Sequence, residues 1–199
     1  MNTRVAVLQA VFTEIAETRM AGLPVCNPRL EVEALGFEPV RQADLRASGL
    51  AGPAAVADGR HWLPPLCLGV LVTPWFMNLV CLPLLRDDRC PPTGQARLLH
   101  IGGHALPFLS SHEPDLGSFG CCSLFSPMQD FASAAAARAT AMAVLEALRR
   151  PAAGLQDGAV PPAGVPTLVV PQPAAVQAGS PPSRRGFLFG RTASPGATA

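Results

Sequence analysis

Between Leu66 and Leu85 the chain is apolar over the roughly 20 residues that a bilayer crossing requires. How that run is resolved constrains everything around it. Pro74 and Pro83 deny it one continuous helix, because each lacks an amide donor and crowds the preceding turn. Asn78 places an amide in its middle, and Gly69 loosens its first half. Val70, Val72, Phe76 and Val80 favour extended backbone. The run is therefore expected to form two buried strands, 62–73 and 75–82, bent at Thr73-Pro74, and not a membrane helix.

The flanks supply helices to cover such strands. Residues 4–20 carry Leu8, Val11, Phe12 and Ile15 at helical spacing, with Thr3 as a cap and Gly22 and Pro24 as a stop. Glu31 to Val40 alternates with period two, as a strand does. Residues 41–59 and 86–95 are polar or rich in small residues and read as loops. Further strands are expected at 97–110 and 117–125, separated by the turn signal Glu113-Pro114-Asp115. Ser126-Pro127-Met128-Gln129 has the pattern of a capping box, so a helix is expected over 127–150, closed by Arg149-Arg150 and Pro151. Phe131, Ala135, Ala139, Met142 and Leu145 would share its buried face, with Arg138 set among them. The resulting class is α+β: a small antiparallel sheet covered by N-terminal and C-terminal helices, spanning 1–150.

Beyond that domain the composition changes. Residues 151–182 hold mostly Pro, Ala, Gly, Val and Gln without periodicity, and read as a disordered linker. A distinct tail, 183–199, begins Ser183-Arg184-Arg185-Gly186-Phe187-Leu188. This matches the heart of a twin-arginine export signal, but it stands far from the N-terminus, with a short apolar stretch behind it. The expectation is a pseudo-signal, Arg184 and Arg185 supplying charge and Phe187 and Leu188 an apolar anchor, that competes for the surface taking a client's own signal.

A net charge of +1 argues against a nucleic-acid partner. The six cysteines form no C-x-x-C pair, and several sit within apolar runs, which suits reduced thiols in the cytoplasm. Candidate chemistry is sparse. His100 and His104 flank Gly102-Gly103, so no helix presents them together as metal ligands. Cys121 and Cys122 are too close to chelate one metal easily, and either pack in the core or, with a His, serve a small thiol- or metal-dependent enzyme. No serine elbow, phosphate loop or dinucleotide fingerprint is present. Trp75-Phe76-Met77, beside Asn78, reads either as core or as an adaptable apolar surface for a partner. Arg138 in an apolar stripe reads as a snorkelling cation or as a guanidinium awaiting a counter-group that a partner supplies.

Trp62 and the run Leu68-Gly69-Val70-Leu71-Val72-Thr73-Pro74-Trp75-Phe76-Met77-Asn78-Leu79-Val80 resemble the central motif of the HybE/HupJ family of [NiFe]-hydrogenase assembly chaperones. Three further stretches share the likeness: Arg19 to Leu30, Cys122-Ser123-Leu124-Phe125-Ser126-Pro127-Met128, and the tail from Ser183 to Leu188. The departures lie in the loops near 41–60 and 84–96 and in the long linker. The resemblance implies a non-catalytic cytoplasmic protein without a cofactor. It would bind precursors of the small or large subunit of an uptake hydrogenase during cofactor or cluster assembly, before twin-arginine export. Other assembly factors are possible partners on this reading, and stable membrane insertion is not expected. Thr73, Pro74, Trp75, Phe76, Met77, Asn78, Ser123, Phe125 and Arg138, with Arg184, Arg185, Phe187 and Leu188 of the tail, are the expected partner-binding residues.

Overall fold

The structure, a computed structural model, describes residues 2–50, 65–86 and 93–150. The apolar run is a hairpin: β2 (Leu66–Val72) and β3 (Met77–Pro83) pair antiparallel around Thr73 to Phe76. Among the described residues no helix is long and apolar enough to cross a membrane. The hairpin is the centre of a six-stranded antiparallel sheet of order β1-β2-β3-β6-β5-β4. Its other strands are β1 (Glu33–Pro39), β4 (Ala96–Ile101), β5 (His104–Glu113) and β6 (Gly117–Phe125). Burial of β2 and β3 on both faces explains why they read as continuous apolar runs rather than alternating ones.

Each face has its own cover. Helix α1 (Asn2–Glu17) lays Leu8, Phe12 and Ile15 against Leu71, Val80, Leu82 and Phe119. On the opposite face α2 (Gln42–Ala47) and α3 (Ala134–Arg149) pack against Val70, Leu79, Cys81, Leu99, Ile101 and Phe108. The small side chains of Ala137 and Ala141 bring α3 close to the sheet. At Gly36, on β1, an added Cβ would lie 2.5 Å from Leu145 Cδ1.

Several expectations are corrected. The 41–59 loop contains α2, which polarity concealed: Arg41 grips Asp44 from three residues before it, Gly102 donates to the same carboxylate, and Leu45 is buried. The single strand 97–110 is two, turned at Gly102-Gly103, both with positive φ, as a two-residue hairpin turn requires. The C-terminal helix starts at Ala134 rather than 127. Its cap is Ser133, whose hydroxyl accepts from Ala136 N–H. Residues 126–131 are instead turned back by bonds described below. The buried face of α3 is consequently Ala137, Ala141, Leu145 and Leu148; Ala135, Ala139 and Met142 face solvent, and Phe131 precedes the helix. Trp62, Cys90, the 151–182 segment and the 183–199 tail lie outside the described residues.

Candidate functional site

Four strands finish level with one another at one end of the sheet. Glu33 pairs with Val72, Val72 with Met77, and Met77 with Phe125, giving one row across β1, β2, β3 and β6. The segments leaving that row are held by neutral side chains. Thr73, fully buried, closes the β2–β3 turn: its Oγ1 accepts from the Trp75 and Phe76 amides at 3.3 and 3.0 Å and donates to Phe76 O at 3.0 Å. Pro at the second position of this turn presets its φ, and no residue needs a left-handed conformation. Asn27, 4% exposed, ties three segments together. Its backbone N–H donates to Pro74 O at 2.8 Å. Its side-chain amide donates to Met128 O and Phe131 O at 3.0 and 2.8 Å, and its Oδ1 accepts from Arg29 N–H. Gln129 donates in return to Pro24 O and Val25 O. That is why the expected capping box fails: Gln129 is occupied elsewhere, and the carbonyls of 128 and 131 belong to Asn27.

The result is an apolar end with a groove of about 300 Å³, lined by residues of the α1–β1 connection and by Pro74. Leu23 stands exposed on it, and Val25, outside its lining, is exposed in the same connection. Trp75 and Phe76 lie beside it, half-buried, their rings edge-on at 5.5 Å, and Phe76 meets Phe12 at 5.9 Å. Phe125 packs edge-on against Phe131 at 5.4 Å. Charges of both signs stand nearby: Glu17 and Glu31 follow the groove residues Ala16 and Leu30, while Arg19, paired with Glu113, precedes Met20 and Arg29 lies between Pro28 and Leu30.

The expected partner residues divide. Pro74, Trp75, Phe76 and Phe125 all lie at this end of the sheet, partly accessible, but Trp75 and Phe76 pack on the α1 face and Phe125 on the α3 face; Ser123 is exposed further down β6. Thr73 and Met77 are fully buried, so they shape the site without reaching its surface. Asn78 is half-buried on the α1 face opposite Ser123; it hydrogen-bonds the Cys121 thiol, and its Oδ1 has no partner among the described residues. Arg138 is not in the apolar stripe. It is more than half exposed on the flank of α3, and its Nε and second guanidinium nitrogen both bond the Glu33 carboxylate at 2.8 Å. The counter-group expected from a partner is thus supplied within the chain, at the start of β1. Arg184, Arg185, Phe187 and Leu188 lie outside the described residues. Leu23, Val25 and Asn27 were not singled out from sequence, although the asparagine between Cys26 and Pro28 is a turn signal.

The thiol chemistry open at the sequence level finds little support. Burial pushes the Cys121 thiol up to about 12 and raises Cys122 as well. Neither is a thiolate near neutral pH, which nucleophilic attack requires. His100 and His104 alternate onto opposite faces of their hairpin, so they cannot share an ion. Among the described residues no three His, Cys, Asp or Glu side chains cluster as metal ligands would.

Residues 3–190 match the family described as "[NiFe]-hydrogenase assembly, chaperone, HybE". Protein HoxT of Cupriavidus necator is 40% identical over 194 residues, covering 94% of this chain and 89% of that protein. The hydrogenase expression/formation protein HupJ of Bradyrhizobium diazoefficiens is 35% identical over 145 residues, 73% of this chain and 71% of the relative. The solution structure of HybE from Escherichia coli aligns with a TM-score of 0.46 at 19% identity, covering 83% of this chain and 88% of that one.

Proposed function

The chain belongs to the HybE family of [NiFe]-hydrogenase assembly chaperones, and from that premise we propose that the apolar end of the sheet holds a hydrogenase subunit precursor during cofactor or cluster assembly. The observation that carries this reading is that residues 22–28, 73–76 and 125–131 meet at one end of the sheet, held there by Asn27 and Thr73. Neutral ties leave that surface apolar, and exposed Leu23, Val25 and half-buried Trp75 are what a partner's apolar segment would cover. Glu17 and Glu31, each next in sequence to a groove residue, offer carboxylates to a segment whose apolar stretch adjoins cations, with Arg29 beside Glu31's neighbour Leu30 as the opposing charge. A twin-arginine signal has that chemistry, so a precursor awaiting export is the favoured client, and the cytoplasm the favoured compartment. The protein acts on this reading by binding and releasing, not by catalysis. The raised thiols disfavour the rival cysteine enzyme.

The test uses the full chain with purified small- and large-subunit precursors, each with and without its signal. Leu23→Asp with Val25→Asp, both on the surface, should weaken precursor binding at least tenfold while the melting temperature holds. Equal binding by the wild type and this double variant would move the client elsewhere on the molecule.

A further inference from the structure

The cover on the two faces of the sheet is unequal. On the α3 face Leu99, Ile101 and Phe108 are buried to 4% exposure or less. On the other face the α1 core ends at β6, with Phe119. Beyond it Leu98 and Leu109 stand 57% and 51% exposed. They share that face with Ala96 and Pro107, their cross-strand neighbours. β5 also leaves β6 early, since the two pair only from Leu109 to Glu113.

Among the described residues β4 is the last strand of the sheet, and its hydrogen bonds reveal which backbone groups turn outward. The Gly102 N–H goes out to Asp44, and the His100 N–H and C=O go out to the Ser48 hydroxyl. Ser110 N–H comes inward to Gln95 O. Strict alternation then turns the N–H and C=O of Ala96 and Leu98 outward, where no described residue meets them. Arg97, between these two, makes no ion pair among the described residues, and its Nε is buried without a partner. α2 therefore caps the far half of this edge and leaves the near half open.

We propose that β4, from Ala96 to Leu98, is a docking edge for an extended segment of a partner protein. That segment carries a carboxylate facing Arg97 and an apolar side chain on the Leu98–Leu109 face. It joins as a seventh strand, giving and taking the four free backbone bonds, as strand addition to an exposed edge does. A second copy of this chain is a poor occupant. Antiparallel self-pairing centred on residue 97 sets Arg97 opposite Arg97 in the closely spaced position, and like charges there repel. Centring on Leu98 instead needs the groups of His100, which Ser48 already holds. The edge lies apart from the groove at Pro74, so it can be tested independently of the function proposed above.

The probes are two blocked pentapeptides, Val-Glu-Val-Glu-Val and Val-Lys-Val-Lys-Val, titrated into the isotope-labelled full chain. The acidic peptide should shift the Ala96 and Leu98 amides and slow their hydrogen exchange at least tenfold; the basic one should not. Leu98→Pro removes an N–H that the fold does not use and should abolish binding. Arg97→Glu should reverse the preference between peptides and covers the case in which the proline variant misfolds. Three results overturn the proposal: no shift at millimolar peptide, shifts confined to Trp75 and its neighbours, or concentration-dependent shifts at β4 without peptide, which would make a second copy the occupant.

Discussion

The two ends of the sheet are closed by different chemistry. At the Trp75 end, turns are tied by an amide and a hydroxyl: Asn27 and Thr73. At the opposite end arginines do the work. Arg4 donates to Pro83 O and Leu116 O, at 3.2 and 2.8 Å, and Arg86 donates to Pro114 O at 2.8 Å. A guanidinium caps carbonyls well but keeps its charge near water, so that end stays polar. A buried asparagine caps them without adding charge. Only this second solution leaves an apolar surface that a partner can dry.

Alkali should break both ends together, and by the most. Burial raises Cys67 from 9 to about 11 and Cys121 from 9 to about 12. A thiol whose folded pKa is raised contributes its full stability below pH 9. That stability is lost as pH climbs toward the folded values, because the unfolded chain releases its protons first. The unfolding free energy from urea titration should therefore fall steadily between pH 9 and 11, by several kcal/mol. Cys121→Ala should flatten the slope. A flat profile over that range would show both thiols to be wetter than the structure has them.

The ends separate under substitution. Asn27→Ala leaves Phe131 O and Arg29 N–H without this partner and Met128 O with only the Phe131 N–H; one of the three lost bonds is buried and two are part-buried, so it should cost about 2 kcal/mol. Residues 126–131 should then exchange amide protons faster than any strand. Thr73→Val keeps the shape but loses the hydroxyl that closes the turn, for about 1–2 kcal/mol by denaturant titration.

How much of this could be read in the sequence follows the same division. The strands of the hairpin were legible because two prolines break a run too apolar to be anything but core. The antiparallel class and the covering helices followed from periodicity. What escaped was set by contacts distant in sequence. Gln129 looks like a capping residue until Pro24 and Val25, more than a hundred positions earlier, take its amide. Asp44 looks like loop until Gly102 donates to it. Arg138 looked stranded in an apolar stripe because the helix was begun seven residues early, which moved the assumed buried face. The Gly102-Gly103 turn, in contrast, is plain in local chemistry, since two adjacent glycines supply the positive φ that a two-residue hairpin turn requires.

At the polar end the expected effect is small. Arg4→Met removes two part-buried bonds to carbonyls of the buried residues Pro83 and Leu116, but water can follow the half-exposed arginine stem to replace the guanidinium, so the loss should be about 1 kcal/mol. A loss as large as that of Asn27→Ala would erase the distinction between the ends.

The smallest effect on stability should come from Arg138, the one cation at the apolar end bonded bidentately to a carboxylate within the chain. The pair is well formed, both bonds at 2.8 Å, but the arginine side chain is 54% exposed, so water and salt screen most of its attraction. Arg138→Ala should leave the melting temperature unchanged within error. Its value lies in where it stands: it joins α3 to the first residue of β1, at the row of strand ends that carries the groove. If a precursor's own cations compete for Glu33, removing Arg138 frees that carboxylate and tightens precursor binding, most of all at low salt. If Arg138 itself meets the client, binding weakens. Glu33→Gln separates the two, since it should weaken binding in the first case and spare it in the second. Measuring both variants and their double at two salt concentrations gives the coupling directly. Affinities that move with neither variant would assign the ion pair to the fold alone and narrow the site to Leu23, Val25 and Trp75.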